Sequence, residues 1–155
     1  MRAEAVYPSP VTISAGMTDA SPVELVRSPG LFEGKQYADA AVVPGGSRLI
    51  FTAGACPVDR SGVVCHRGGV AGQTEQCMDN LVEALAAAGA GLANVVKTTV
   101  YVASGERDEL VAAWNVVHGR FGDHDPPATL LGVSVLGHPE QLVEIEAVAA
   151  LLGVD

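Results

Sequence analysis

Two glutamates stand one residue apart in the segment LVEIEAVA, residues 142–149. Side chains alternate along an extended strand, so Glu144 and Glu146 project from one face while Val143, Ile145 and Ala147 project from the other. Carboxylates placed this way can activate a water or carry a proton for any ligand within hydrogen-bond reach. The stretch leading into the pair, residues 126–142, contains neither Arg nor Lys, so no cation adjacent in sequence answers the charge.

Other reactive groups are sparse. Cys56, Cys65 and Cys77 are odd in number and lie 9 and 12 positions apart, a spacing that suits neither a disulfide framework nor a zinc site, so reduced thiols are expected. His66, His118, His124 and His138 show no HxxxH or HExxH spacing, and no metal site is expected. The glycine-containing stretches VPGGSR and HRGGVAG lack both GxGxxG and the Walker lysine. No nucleotide is therefore expected, and no cofactor is called for.

The elements that must carry these groups follow from periodicity. The runs ADAAVV and RLIFTAGA flank the turn PGGS and predict a β-hairpin. The next stretch, VDRSGVVCHRGG, reads as a turn-rich link. Cys77, Met78, Leu81, Val82, Leu85 and Ala88 recur at helical spacing, which predicts a helix from Gly72 to Ala88 stopped by Gly89. Lys97 to Val102 is β-rich and predicts a central strand. Leu110, Val111, Trp114, Val117, His118 and Phe121 predict a second helix over Asp108 to Phe121, with Ser104 as its candidate cap. Two strands complete the chain. The resulting order, strand-strand-helix-strand-helix-strand-strand, predicts an α+β fold in which one mixed sheet buries two helices on one face.

Bulk properties bound the function. The chain has 155 residues, enough for one domain. Residues 1–22, with three prolines and no sustained period, read as a loose N-terminal extension, and residues 23–155 as a single domain. Apolar residues make up 48% and charged ones 17%, a balance that leaves surface for contacts between subunits. The net charge of −9, from 18 acidic and 9 basic residues, repels phosphate backbones and anionic membranes. Neither nucleic acid nor a membrane is expected as a partner. With no signal peptide pattern and no apolar run of about 18 residues, the expected compartment is the cytoplasm.

Several segments together resemble one family. YADAAVVPGGSRLIFTAGACPVD resembles its tyrosine-led segment, YSxAV…G…SGQxPxD; QTEQCMDNLVEALAAAGAGLANVVKTTVYV resembles QxxQxxxNLxxxLxxAGxxxxDVVKxTVYL; WNVVHGRF resembles NxxYxxFF; and LVEIEAVA resembles VEIEAIA. On these motifs, which cover roughly residues 25 to 150, the chain is identified as a member of the Rid/YjgF family of reactive intermediate deaminases. The resemblance implies a chorismate-mutase-like fold of the bacillus type and a homotrimer with ligand pockets in the clefts between subunits. It also implies hydrolysis of enamine and imine intermediates with release of ammonia.

Residue by residue, the resemblance gives Glu144 as the acid that directs the attacking water. It gives Tyr37, Gly54 and Asn115 as ligand-lining positions. Cys56 shares the strand face of Gly54, and Glu146 that of Glu144, so both are candidates for the site. The departures are equally informative. The arginine of the family's PAR[ST] motif, which holds a substrate carboxylate, is assigned to Ala128, and the serine and glutamine of SGQ are Ala53 and Ala55. The loss removes a charge-assisted contact worth about 1.5–3 kcal/mol. Lys35, Arg27, Arg48 and Arg120 are the candidate replacement cations, Lys35 first because it is two residues from Tyr37.

The expected ligand is therefore a small, rather apolar molecule, an imine, enamine or related species, hydrolysed or tautomerised under the direction of Glu144, and not a free 2-imino acid. The alternative is a binding or chaperone-like protein that keeps the fold without turnover. A ribonuclease would need a basic stripe, which the charge balance opposes.

Overall fold

The computed structural model describes residues 23–153. The expected N-terminal extension, residues 1–22, lies outside the described residues. The elements run β1 (Glu24–Val26), β2 (Ala40–Val42), β3 (Arg48–Phe51), α1 (Val70–Ala87), a 3-10 turn (Leu92–Asn94), β4 (Val95–Val102), α2 (Arg107–Phe121), β5 (Ala128–Gly132) and β6 (Val143–Leu151). Strands β3, β6, β4 and β5 form, in that spatial order, a mixed four-stranded sheet in which β4 and β5 are parallel and the other pairs antiparallel.

One face of that sheet carries both helices. Val100, Val102, Val143, Ile145, Ala147 and Ala149 meet Cys77, Met78, Leu81 and Leu85 of α1 and Ala113, Val117 and Phe121 of α2 in a single core. Met78, Leu81 and Leu85 are fully buried; each such side chain stabilises the fold by about 1.5–3 kcal/mol relative to exposure. Of the α1 stripe its period predicts, Cys77, Met78, Leu81 and Leu85 are buried, whereas Val82 is half-buried and Ala88, at the C-cap, is exposed. Helix α1 ends where expected, with Gly89 at φ +80° just beyond the cap, a left-handed conformation that favours glycine. Helix α2 begins at Arg107. Its N-cap is Glu106, and Ser104 contributes only by accepting the Glu106 N–H at 2.9 Å.

The expected hairpin is corrected by the strand partners. The PGGS turn forms, with Ser47 bonded back to Pro44 and Gly46 at positive φ, but the strands on either side of it part. β2 pairs with β1 in a separate two-stranded ribbon, and β3 runs antiparallel to the end of β6, with Phe51 opposite Val148. A turn brings two strands near each other; the apolar end of β6 offers β3 the longer ladder, and β1 was not foreseen at all.

The face turned away from the helices has no second layer among the described residues. Its rows, read across β6, β4 and β5, are Glu144–Tyr101–Leu131 and Glu146–Thr99–Thr129. Phe51 is 73% exposed beside them. Among the described residues, no helix is long and apolar enough to cross a membrane.

Candidate functional site

Strand β6 delivers both glutamates to the open face, because its alternation buries Val143, Ile145 and Ala147 against the helices. Glu144 is half-buried and held at its outer oxygen. Gln141 Nε2 donates to Oε2 at 3.0 Å, and the Cys56 thiol donates to the same atom at 3.6 Å. On its other side the carboxylate lies against Gly54, where a Cβ would overlap Oε1 and come within 2.7 Å of Cδ. Any side chain at 54 would therefore push the glutamate out of this position. Glu144, Gly54 and Cys56, three of the expected site residues, do come together in one chain.

Gln141 is a residue that sequence reading missed. It is buried, and its amide also donates to the Val143 carbonyl while its oxygen accepts the His138 N–H. Behind it, Gln73 of α1 donates to the Glu140 carbonyl at 2.8 Å and accepts the Leu142 N–H at 2.7 Å. Asn80 of α1 donates to the carbonyls of Cys56 and Val58. Helix α1 therefore fixes both segments that face Glu144. A glutamine three residues before the glutamate is a faint signal, since only the fold shows that its side chain turns toward the carboxylate.

Burial and then the charge of Glu144 push the Cys56 thiol above its ordinary range. Alkylation by iodoacetamide at pH 7.5 should therefore be slow at Cys56 and accelerate as pH rises toward the raised value. Glu144→Gln should speed it several-fold by removing the neighbouring charge. An unchanged labelling rate in that variant, followed by peptide mass spectrometry, would separate the thiol from the carboxylate. Cys77, fully buried, is pushed still higher and should react only on unfolding.

Glu146 makes a second, distinct cluster. The Tyr101 hydroxyl donates to its Oε1 at 2.8 Å, and this carboxylate raises the phenol's pKa. A recess of about 160 Å³ beside it is lined by Phe51, Thr52, Lys97, Thr99 and Glu146. Lys97, whose pKa burial lowers, donates to Thr129 Oγ1 at 2.6 Å. It too was overlooked as a cation, although its place in the alternation Lys97, Thr99, Tyr101 set its face. Lys97 is opposite Val148, four residues along β6 from Glu144, or about 13 Å at the rise of a strand.

The four cations nominated from sequence do not answer Glu144 within the chain. Lys35 pairs with Asp39, Arg27 with Asp125 at 2.6 Å, and Arg120 with Glu75 and Asp79 at 2.9 and 2.8 Å. Arg48 is opposite Leu151, at the far end of β6.

Ala128 is corrected more sharply. It pairs with Thr98, whose row is buried toward the helices, and it lines a crevice with Trp114, His118 and Phe121. The β5 residue on the glutamate face is Thr129, the last of Pro127-Ala128-Thr129 and so third in the family's P-A-R order. Ala128→Arg should accordingly bring no guanidinium to Glu144. Overpacking of the α2 layer should instead destabilise the protein by about 1–3 kcal/mol, measurable as a lower melting temperature. A variant as stable as the parent would show that the crevice opens.

Tyr37 and Asn115 also stand apart from Glu144 within one chain. Tyr37 packs edge-on against Trp114, with ring centroids 6.0 Å apart, and Asn115 is exposed next along α2.

Residues 33–151 match the family model described as Endoribonuclease L-PSP. Human 2-iminobutanoate/2-iminopropanoate deaminase is 31% identical over 127 residues, which cover 82% of this chain and 87% of that protein. Protein DfrA of Myxococcus xanthus is 34% identical over 115 residues, covering 73% and 83%. Among solved structures, the Rid-family protein YyfB of Yersinia pestis superposes with a TM-score of 0.78 at 27% identity, covering 84% of this chain and 99% of that one. Escherichia coli TdcF with bound serine gives 0.60 at 26% identity, covering 83% and 97%.

Proposed function

Because the chain belongs to the Endoribonuclease L-PSP family, the Rid/YjgF proteins, we propose that it is a homotrimer hydrolysing small imines or enamines that lack a carboxylate, in clefts between subunits. The division of the candidate residues supports this reading: Glu144, Gly54 and Cys56 gather on the open sheet face, whereas Tyr37 and Asn115 lie by α2. A neighbouring copy would bring the second group to the first, and would cover Phe51 and Leu131, which are 73% and 42% exposed. Burying such side chains favours association.

In this site Glu144 takes a proton from water as the oxygen adds to the C=N carbon, and passes it to the nitrogen. The carbinolamine then collapses: Glu144 takes the hydroxyl proton and delivers it to the departing amine, the C–N bond breaks, ammonia leaves and a carbonyl compound remains. Gln141 holds the carboxylate for this transfer. Thr129 stands on the glutamate face in the third place of the family's P-A-R order, and within one chain the nominated cations are paired elsewhere or distant from Glu144; the reading leaves out 2-imino acids on that ground.

Light scattering should give the mass of three chains, and an imine released by an amine oxidase from a simple alkylamine should lose ammonia faster with the protein than without it. The imine formed from threonine by a threonine dehydratase should not. A monomer would remove the cleft, acceleration of only the second imine would reverse the assignment, and acceleration of neither would leave a binding protein.

A further inference from the structure

Tyr37 sits in a ring of groups that the proposed chemistry does not use. Its carbonyl accepts Arg27 Nη1 at 3.0 Å, and Arg27 Nη2 donates to Asp125 Oδ2 at 2.6 Å. The other carboxylate oxygen, Asp125 Oδ1, faces His118 Nδ1 at 3.5 Å. The His118 ring stacks on Trp114, 6.2 Å between centroids and 11° from parallel, and Trp114 closes the circuit against Tyr37. The residues beside Tyr37 are tied to the same group: Trp114 Nε1 donates to Gln36 Oε1 at 2.9 Å, and the Ala38 N–H donates to the Asp125 carbonyl at 2.9 Å.

One link in this circuit is incomplete. Asp125 Oδ1 is buried and makes no hydrogen bond, and 3.5 Å is longer than a charge-assisted N–H···O⁻ contact of about 2.7–2.9 Å. A proton on His118 supplies the missing donor, and places a cation against the Trp114 face as well. We propose that His118, Asp125, Arg27 and Trp114 are positioning residues for Tyr37, and that protonation of His118 closes the circuit and fixes the Tyr37 segment.

The groups around His118 fit this role. From the loop before β5 come Asp125 and His124, the latter already holding the Val95 carbonyl through Nε2 at 2.7 Å. From the end of β1 comes Arg27, which occupies the other Asp125 oxygen. Arg120, two residues along α2, is engaged by Glu75 and Asp79. Across Trp114 lie the Tyr37 ring and the Gln36 amide. Asp125 is thus the acceptor left for the imidazolium. The inference rests on the reading of Tyr37 as a ligand contact only for its functional consequence; the circuit itself does not.

The chain contains one tryptophan, Trp114, so its fluorescence reports on the stack directly. Between pH 8 and pH 5, across the range in which imidazoles gain a proton, wild-type emission should fall. The change should vanish in His118→Gln and be much smaller in Asp125→Asn, where no carboxylate is left to receive the ring. Amide exchange in the peptide containing residues 36–39, corrected for its intrinsic pH dependence, should show opening roughly tenfold rarer at pH 5.5 than at 7.5, the effect of one charge-assisted hydrogen bond. Circular dichroism checks that each variant is folded; if His118→Gln is not, the Asp125→Asn amplitude decides.

Emission or exchange that is independent of pH in the wild type, or an undiminished emission change in Asp125→Asn, overturns the proposal. The KM for the alkylamine-derived imine should fall as the circuit closes while kcat changes little. A circuit that closes with no change in KM would overturn the functional consequence and the assignment of Tyr37 as a ligand contact, but not the circuit.

Discussion

Gly54→Ala is expected to reduce imine turnover by about a hundredfold or more, while changing the melting temperature by only a few degrees. The added Cβ would overlap Glu144 Oε1 and lie 2.7 Å from Cδ and 2.9 Å from Cγ. A movable side chain, not backbone, occupies that space, so the fold can relieve the clash by swinging the glutamate away. Relief of that kind separates the carboxylate from Gln141 and from the position where water would be activated. Loss of a positioned general base typically costs about 10²–10⁴ in rate, which sets the size of the effect.

Glu144→Gln is the control for that variant. It should be as inactive as Gly54→Ala, and the double variant no worse than either, because both changes remove one interaction. Measured rates that multiply in the double variant would mean that Gly54 acts independently, through the approach of ligand to its backbone. Full activity in Gly54→Ala would remove Glu144 from the chemistry.

Gln73→Leu is expected to be the most destabilising of these changes, by about 2–5 kcal/mol. Gln73 is fully buried, and each end of its amide satisfies a backbone group in the segment before β6, the Glu140 carbonyl and the Leu142 N–H. Leucine has similar bulk but leaves both groups without a partner, at about 1–3 kcal/mol each. For a chain of this length that corresponds to a melting temperature lower by roughly 5–15 °C. Gln73→Glu should fall between, since a carboxylate still accepts from Leu142 but cannot donate to Glu140. The segment carries Gln141, so turnover should suffer in both variants even below their melting temperatures. A Gln73→Leu protein that melts within about a degree of the parent would show that water satisfies those groups.

Periodicity alone settled whatever covalent geometry repeats. The 3.6-residue period of α1 named Cys77, Met78, Leu81 and Leu85 as its buried stripe, and Gly89 marked its end. The period of two in β6 put Glu144 and Glu146 on one face, and the step from Gly54 to Cys56 put the thiol on the face of the glycine. Motif spelling carried the family, because LVEIEAVA and the long segment around α1 are specific enough to stand without coordinates.

Partners, by contrast, were settled by the folded chain. Nothing in PGGS says that β2 leaves for β1 while β3 joins β6, because a turn supplies proximity and the longer apolar ladder supplies the energy. A one-residue difference on β5 separates Ala128, under α2, from Thr129, on the glutamate face; an alignment cannot see that step where the motif is degraded, but a strand reverses every side chain across it. Gln141, Gln73 and the circuit from Arg27 to His118 join residues distant in sequence or facing through a turn. Their pairing follows from burial, which leaves a polar atom no solvent and so makes whichever group the fold places beside it the partner that matters.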